Sequence, residues 1–133
     1  MAKEIVRSYQ DLKVWQVGLD LSVDCYQLTK AFPREEIYGI VSQIRRASVS
    51  IPANVAEGYG RASRGDYIRF LRIAQGSLKE LETLLEISKR VGYLDGVVDA
   101  SSSCQTLGRL MTGLIRSLLG SPYSQLPTAD SRP

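Results

Sequence analysis

Clusters of turn-forming residues divide the chain at four places: Phe32-Pro33, Gly58-Tyr-Gly60, Gly92-Tyr-Leu-Asp-Gly96, and everything from Gly120-Ser121-Pro122 onward. The segments between them run roughly 20 to 28 residues, long for average globular helices and typical of a bundle with short loops. No strand signal competes. At 133 residues and 44% hydrophobic content there is material for one compact domain and no room for a second. The expected fold is all-α, an antiparallel up-down-up-down four-helix bundle over residues 1–120. Residues 121–133, with three prolines and few apolar side chains, read as a disordered C-terminal tail.

Local signals place the helix starts. Ser8 followed by Asp11, and Ser63 followed by Asp66, resemble capping boxes, so helices are expected just after Ser8 and Ser63. Pro33 before Arg34-Glu35-Glu36 supplies another start, because proline is tolerated in a first turn and acids there meet unpaired backbone N–H groups.

The first segment carries two apolar stripes. At about 100° per residue, Leu12, Trp15, Leu19, Val23 and Tyr26 share one side, and Val14, Val17, Leu21, Cys25 and Leu28 lie nearly opposite. A small bundle offers a helix one core face, so a second stripe points to contact with another copy of the chain, the alternative being a helix more fully enclosed within its own bundle. The oligomer interface is assigned here to Val14, Val17, Leu21, Cys25 and Leu28.

In the second segment Ile37, Ile40, Val41, Ile44, Ser48, Ile51, Val55 and Tyr59 form the inward face. Pro52 removes the hydrogen bond to the Ser48 carbonyl, so a kink or a break is expected near it. Gln43, Arg46, Ser50, Asn54 and Glu57 make a polar line on the other side, spaced for hydrogen bonds along the helix or outward. A solvated face would carry the same pattern.

The third segment repeats an inward stripe through Tyr67, Leu71, Ala74, Leu78, Leu81, Leu85 and Ser88, widened by Phe70, Ser77, Leu84 and Val91. Its start holds Arg61, Arg64, Arg69 and Arg72 against the single acid Asp66, which concentrates the chain's formal charge of +3. These four, with Arg45 and Arg46 as additions, are the candidate RNA or DNA phosphate contacts. No aromatic side chain stands clearly on that outer face to stack bases. In the fourth segment Val97, Ala100, Cys104, Leu107, Gly108, Met111, Leu114, Ile115 and Leu118 can face inward, although a serine run and two glycines lower its intrinsic helicity.

Catalytic chemistry is poorly provided for. The chain has no histidine, which excludes imidazole triads, proton shuttles and histidine metal sites. Cys25 and Cys104 each sit inside a helical pattern and read as reduced core residues. Gly58-Tyr-Gly60 ends a helix and follows no strand, so it is no phosphate loop. Glu80, Glu82 and Glu86 lie beside Lys79, Lys89 and Arg90, which can pair with them one turn away. No enzyme activity, cofactor or metal is expected. Without an apolar run of membrane-spanning length or a basic, apolar leader, no membrane partner is expected and the location reads as cytoplasmic.

Tyr9-Gln-Asp-Leu-Lys-Val-Trp15, Phe32-Pro33, Glu36-x-Tyr38, the seventeen-residue run from Ser42 to Gly58 (Ser-Gln-Ile-Arg-Arg-Ala-Ser-Val-Ser-Ile-Pro-Ala-Asn-Val-Ala-Glu-Gly) and Gly76-Ser-Leu-Lys-Glu-Leu-Glu82 together resemble the 23S rRNA intervening sequence proteins. The resemblance implies a four-helix bundle assembled as a ring-like homopentamer and carries over no catalytic residue. It places the family signature on Gln43, Arg45, Arg46, Ser50, Pro52, Asn54, Glu57 and Gly58, with Gly76, Ser77, Glu80 and Glu82. The chain is also similar to the accessory protein of diversity-generating retroelements, a more strongly basic pentameric bundle that works with nucleic acid. Two functions are therefore in view. One is a homo-oligomeric scaffold, with an unidentified protein as a further partner; the other is an accessory protein binding RNA or DNA through the arginines.

Overall fold

The computed structural model describes residues 5–95 and 100–120. Four helices carry the fold: α1 (Lys13–Thr29), α2 (Ile40–Tyr59), α3 (Arg64–Arg90) and α4 (Ala100–Leu119). They form an antiparallel bundle in which α1 packs on α2 and α4, and α3 packs on the same two neighbours; the α2–α3 contact is the most extensive. The expected tail at 121–133, and Val97, lie outside the described residues.

The Ser8–Asp11 capping box forms, but it caps a single 3-10 turn, Tyr9–Asp11, and α1 begins after Leu12. Ser63 caps α3 as its spacing implies, its Oγ accepting from the Asp66 N–H at 3.1 Å. The expectation of a long helix starting at Pro33 is corrected. Arg34–Glu36 is one 3-10 turn, and α2 starts at Ile40 because the chain changes direction at Gly39. The Glu36 carboxylate accepts from the freed Ile40 N–H at 3.3 Å and from the Tyr93 hydroxyl at 2.8 Å, which ties the α2 start to the turn after α3. Ile37, expected inside, therefore lies outside the helix and half exposed.

Pro52 does not divide α2, which runs unbroken from Ile40 to Tyr59. The Ser48 carbonyl that Pro52 cannot serve is met from α1 instead, where the Ser22 hydroxyl donates to it at 2.7 Å. Gly18 lies one turn before Ser22, and a methyl group on it would sit 3.5 Å from Pro52 Cδ. The proline is thus built into the α1–α2 contact. At the other end of α2, a Cβ on Gly58 would stand 2.7 Å from Phe70 Cβ, so only glycine lets α2 and α3 close there.

Leu21 of α1, Ile44 and Ile51 of α2, Leu71, Leu78 and Leu81 of α3, and Leu107 and Met111 of α4 are no more than 2% exposed and fill the centre. Each contributes about 1.5–3 kcal/mol through burial of its apolar surface. The inward stripes expected for the second, third and fourth segments hold, apart from Ile37 and the exposed Val91.

Candidate functional site

Of the two α1 stripes, the one assigned to an oligomer interface faces the chain's own core. Val14, Leu21, Cys25 and Leu28 are buried and Val17 is half-buried, so these side chains present no surface to another copy. The physical reason is the small-residue line beside them: Gly18, Ser22 and Thr29 are also buried and bring α1 close against α2. Of the opposite stripe, Leu12 and Trp15 pack half-buried against the core and the rest is left outside. Leu19, Val23 and Tyr26 are 41%, 53% and 43% exposed.

This ridge continues onto neighbouring elements. Tyr26 shares a surface depression with Ile37, Tyr38 and Val49. Tyr38 is 94% exposed, an uncommon place for a tyrosine with no partner side chain over it. Leu19, Val23, Tyr26, Ile37, Tyr38 and Val49 thus form an outward apolar face across α1, the following turn and α2. Arg45 borders it with its guanidinium 4.6 Å from the Tyr26 ring centre, donating to Thr29 Oγ1 at 3.0 Å and to the Tyr26 carbonyl at 3.4 Å. That side chain holds α1 to α2. Arg46, beside it in sequence, is exposed.

The polar line on α2 is partly a helix-to-helix clasp. Ser50 Oγ meets Ser77 Oγ of α3 at 2.8 Å, and Asn54 Nδ2 donates to the Ser50 carbonyl at 2.8 Å and to its hydroxyl at 2.9 Å. Glu57 pairs with Arg61 at 2.7 Å. Gln43 and Arg46, at the other end of the line, face solvent.

Of the four arginines at the α3 start, two are brought together. Arg61 and Arg69 both lie over the Phe70 ring, 4.8 and 4.6 Å from its centre, a contact that neither composition nor spacing displayed. Arg61 is offset by Glu57, and Asp66 lies 3.7 Å from Arg69. Arg72 reaches Gln75 at 3.5 Å, and Arg64 is exposed. Arg45 lies about 24 Å from Arg61 along α2 at 1.5 Å per residue and is turned onto α1, but α3 runs back beside α2, and with Ser50 against Ser77 the axial separation of Arg46 from Arg72 is only about 14 Å.

Cys25 and Cys104 are free and fully enclosed; burial, then for Cys25 its proximity to Cys104 and for Cys104 that to Glu82, pushes both thiols up to about 12. The Tyr67 hydroxyl is buried without a hydrogen-bond partner, and desolvation, with Tyr59 alongside, raises it to about 12. Glu82 pairs with Lys79 at 3.2 Å and Glu86 with Arg90 at 2.9 Å. Among the described residues no cluster of acidic or thiol side chains is placed to hold a metal ion, and no helix is long and apolar enough to cross a membrane.

A second surface feature, invisible to helical periodicity, is an open groove of about 840 Å³ between α3 and α4. Its floor is Leu78, Cys104 and Gly108, and its rim includes Lys79, Arg109 and Arg116.

Fold and surface together define an all-α up-down bundle whose distinctive positions serve packing between helices. The chain belongs to the 23S rRNA-intervening sequence protein family, whose sequence pattern matches residues 10–113. A similar solved structure is that of a protein of unknown function from the S23 ribosomal protein family of Bacteroides thetaiotaomicron. It is 27% identical with a TM-score of 0.72, over 77% of this chain and 95% of that one. No curated protein matches the chain.

Proposed function

We propose that this protein is a non-enzymatic assembly module, a bundle that associates with further copies of itself and serves as a scaffold. The observation that carries this reading is the outward apolar face of Leu19, Val23, Tyr26, Ile37, Tyr38 and Val49. An exposed tract of that kind in a small bundle is characteristic of an interaction surface. The signature positions support the same reading. Pro52 and Gly58 shape helix contacts, Ser50 and Ser77 clasp α2 to α3, and Arg45 fastens α1 to α2, so these residues build a framework and leave no reactive group assembled. The homopentameric ring implied by the family resemblance is the assembly this reading takes, with the enclosed, protonated thiols suiting a cytoplasmic setting.

The test is a substitution that leaves the core untouched. Val23→Glu places a charge in the exposed ridge; it is expected to shift the protein from oligomer to monomer in sedimentation while its helical circular dichroism is unchanged. An oligomer unaffected by Val23→Glu and Tyr38→Glu together would remove this face from the account.

A second reading, nucleic-acid binding, is favoured by the Arg61–Phe70–Arg69 stack with Arg64 and Arg72 nearby. It predicts that duplex DNA or structured RNA is bound with an affinity that falls steeply with salt and that Arg64→Ala with Arg69→Ala weakens it. No association at low salt would end it. The kinship suggested by the retroelement accessory proteins belongs to this reading.

A further inference from the structure

The α1 ridge and the α3–α4 groove are complementary in shape and charge, and they lie on different parts of the same chain. The ridge is convex and apolar, with Leu19, Val23 and Tyr26 spaced over about 10 Å of helix. Two acids, Asp20 and Asp24, follow one flank of it, one turn apart and exposed. Neither makes an ion pair or hydrogen bond among the described residues, whereas four other acids of the chain are paired with bases.

The groove is concave and runs along about 18 Å of α4, from Cys104 to Arg116, so two turns of a helix ridge can lie in it. Gly76 and Gly113 line it with no atom near where a side chain would begin, which leaves room for an incoming helix. Its charge is positive: Lys79 is engaged by Glu82 at 3.2 Å, but Arg109 has only a 3.4 Å contact to Thr106 Oγ1 and Arg116 faces solvent. Among the described residues, two arginines with no acid partner thus edge an open groove, and two aspartates with no basic partner edge an exposed ridge.

We infer that the ridge of one copy seats in the α3–α4 groove of the next, with Asp20 and Asp24 against Arg109 and Arg116. The inference rests on the assembly reading above and names both halves of the contact. Ridge-on-ridge pairing would instead set Asp20 and Asp24 near their own equivalents in the second copy, where like charges repel. Because ridge and groove are distinct surfaces, the contact is head-to-tail, and repeating it produces a closed ring or an open filament, depending on whether the rotation closes.

Charge reversal and disulfide trapping test it, using the full chain. Asp20→Arg/Asp24→Arg and Arg109→Asp/Arg116→Asp are each expected to weaken association at least about tenfold in sedimentation velocity, and the four substitutions in one chain to restore it. All four side chains are exposed, so unchanged helical circular dichroism verifies that the bundle is intact. In parallel, with Cys104→Ala in every chain to remove the native thiol of the groove, a mixture of Val23→Cys and Gly113→Cys chains is expected to form intermolecular disulfides under mild oxidation, while Val23→Cys alone forms none. Assembly that survives reversal at Arg109 and Arg116, assembly strengthened by reversal at Asp20 and Asp24, or disulfide dimers of Val23→Cys alone would each overturn the head-to-tail contact while leaving self-association standing. A wild-type monomer would overturn self-association itself, and this contact with it.

Discussion

Ser22 and Pro52 show how a single side chain can decide whether a helix breaks. Proline withholds a donor from the Ser48 carbonyl, and in a buried position an unserved carbonyl costs about 1–3 kcal/mol. Ser22 supplies the missing donor at 2.7 Å. Ser22→Ala is therefore expected to lower stability by about 1–3 kcal/mol in urea unfolding, and by measurably less in a Pro52→Ala background, where the backbone can serve the carbonyl itself. Equal losses in both backgrounds would show that the serine acts by packing alone. The vacancy at Ser48 was readable from the proline, four residues on; its occupant, 26 residues away on another helix, was not, because periodicity says which residues share a face and nothing about which faces meet. The thiols give a second test. Cys25 and Cys104 rise from an ordinary 9.0 to about 12 because burial disfavours the thiolate, so the folded state holds these protons more tightly than the unfolded chain. Their contribution to stability is complete below pH 9.0 and is lost as pH climbs toward 12; Tyr67, raised from 10.0 to about 12, acts in the same direction. Urea midpoints are expected to be lower at about pH 10.5 than at about pH 8, with neither cysteine reacting with a thiol dye until the protein unfolds.

The α1 helix is where sequence reading and structure part most instructively. Two opposed apolar stripes were evident from spacing. Which stripe turned inward was not evident, because each holds five apolar residues and periodicity does not rank one above the other. A signal was present in Gly18, Ser22 and Thr29, small side chains flanking the Leu21–Cys25–Leu28 stripe and marking where another backbone approaches. At dilution, Leu21→Ala is expected to destabilise the bundle by about 2–5 kcal/mol, since it empties a fully enclosed site. Val23→Ala, on the exposed stripe, is expected to change monomer stability by no more than about 0.5 kcal/mol in the same urea titration. Comparable losses would mean that the two stripes had been assigned to the wrong sides. The α2 start taught a different lesson. Pro33 and its acids signalled a helix correctly in kind, but Gly39 ends that turn and Glu36 turns back to cap Ile40, a local competition that a start signal alone does not resolve.

Across the molecule, the bundle was readable because turn clusters and a period of about 3.6 residues agree over the four helices. The surface was less readable. A groove such as that between α3 and α4 depends on how far apart two helices sit, and the grouping of Arg61 with Arg69 depends on Phe70 lying between them in space. The sequence grouped four arginines at the α3 start with Arg45 and Arg46 as additions; the fold draws Arg45 onto α1 and sets Glu57 and Asp66 among the four. The resulting surface combines an outward apolar face, a groove edged by two arginines, and buried, protonated cysteines, which suits assembly better than chemistry. Sedimentation velocity of the full-length protein over micromolar concentrations, at about 0.1 M salt, where exposed charges are screened beyond about 10 Å, addresses this most directly. The account predicts a discrete species larger than the monomer that persists on dilution through this range. A single monomeric species at every concentration would contradict it.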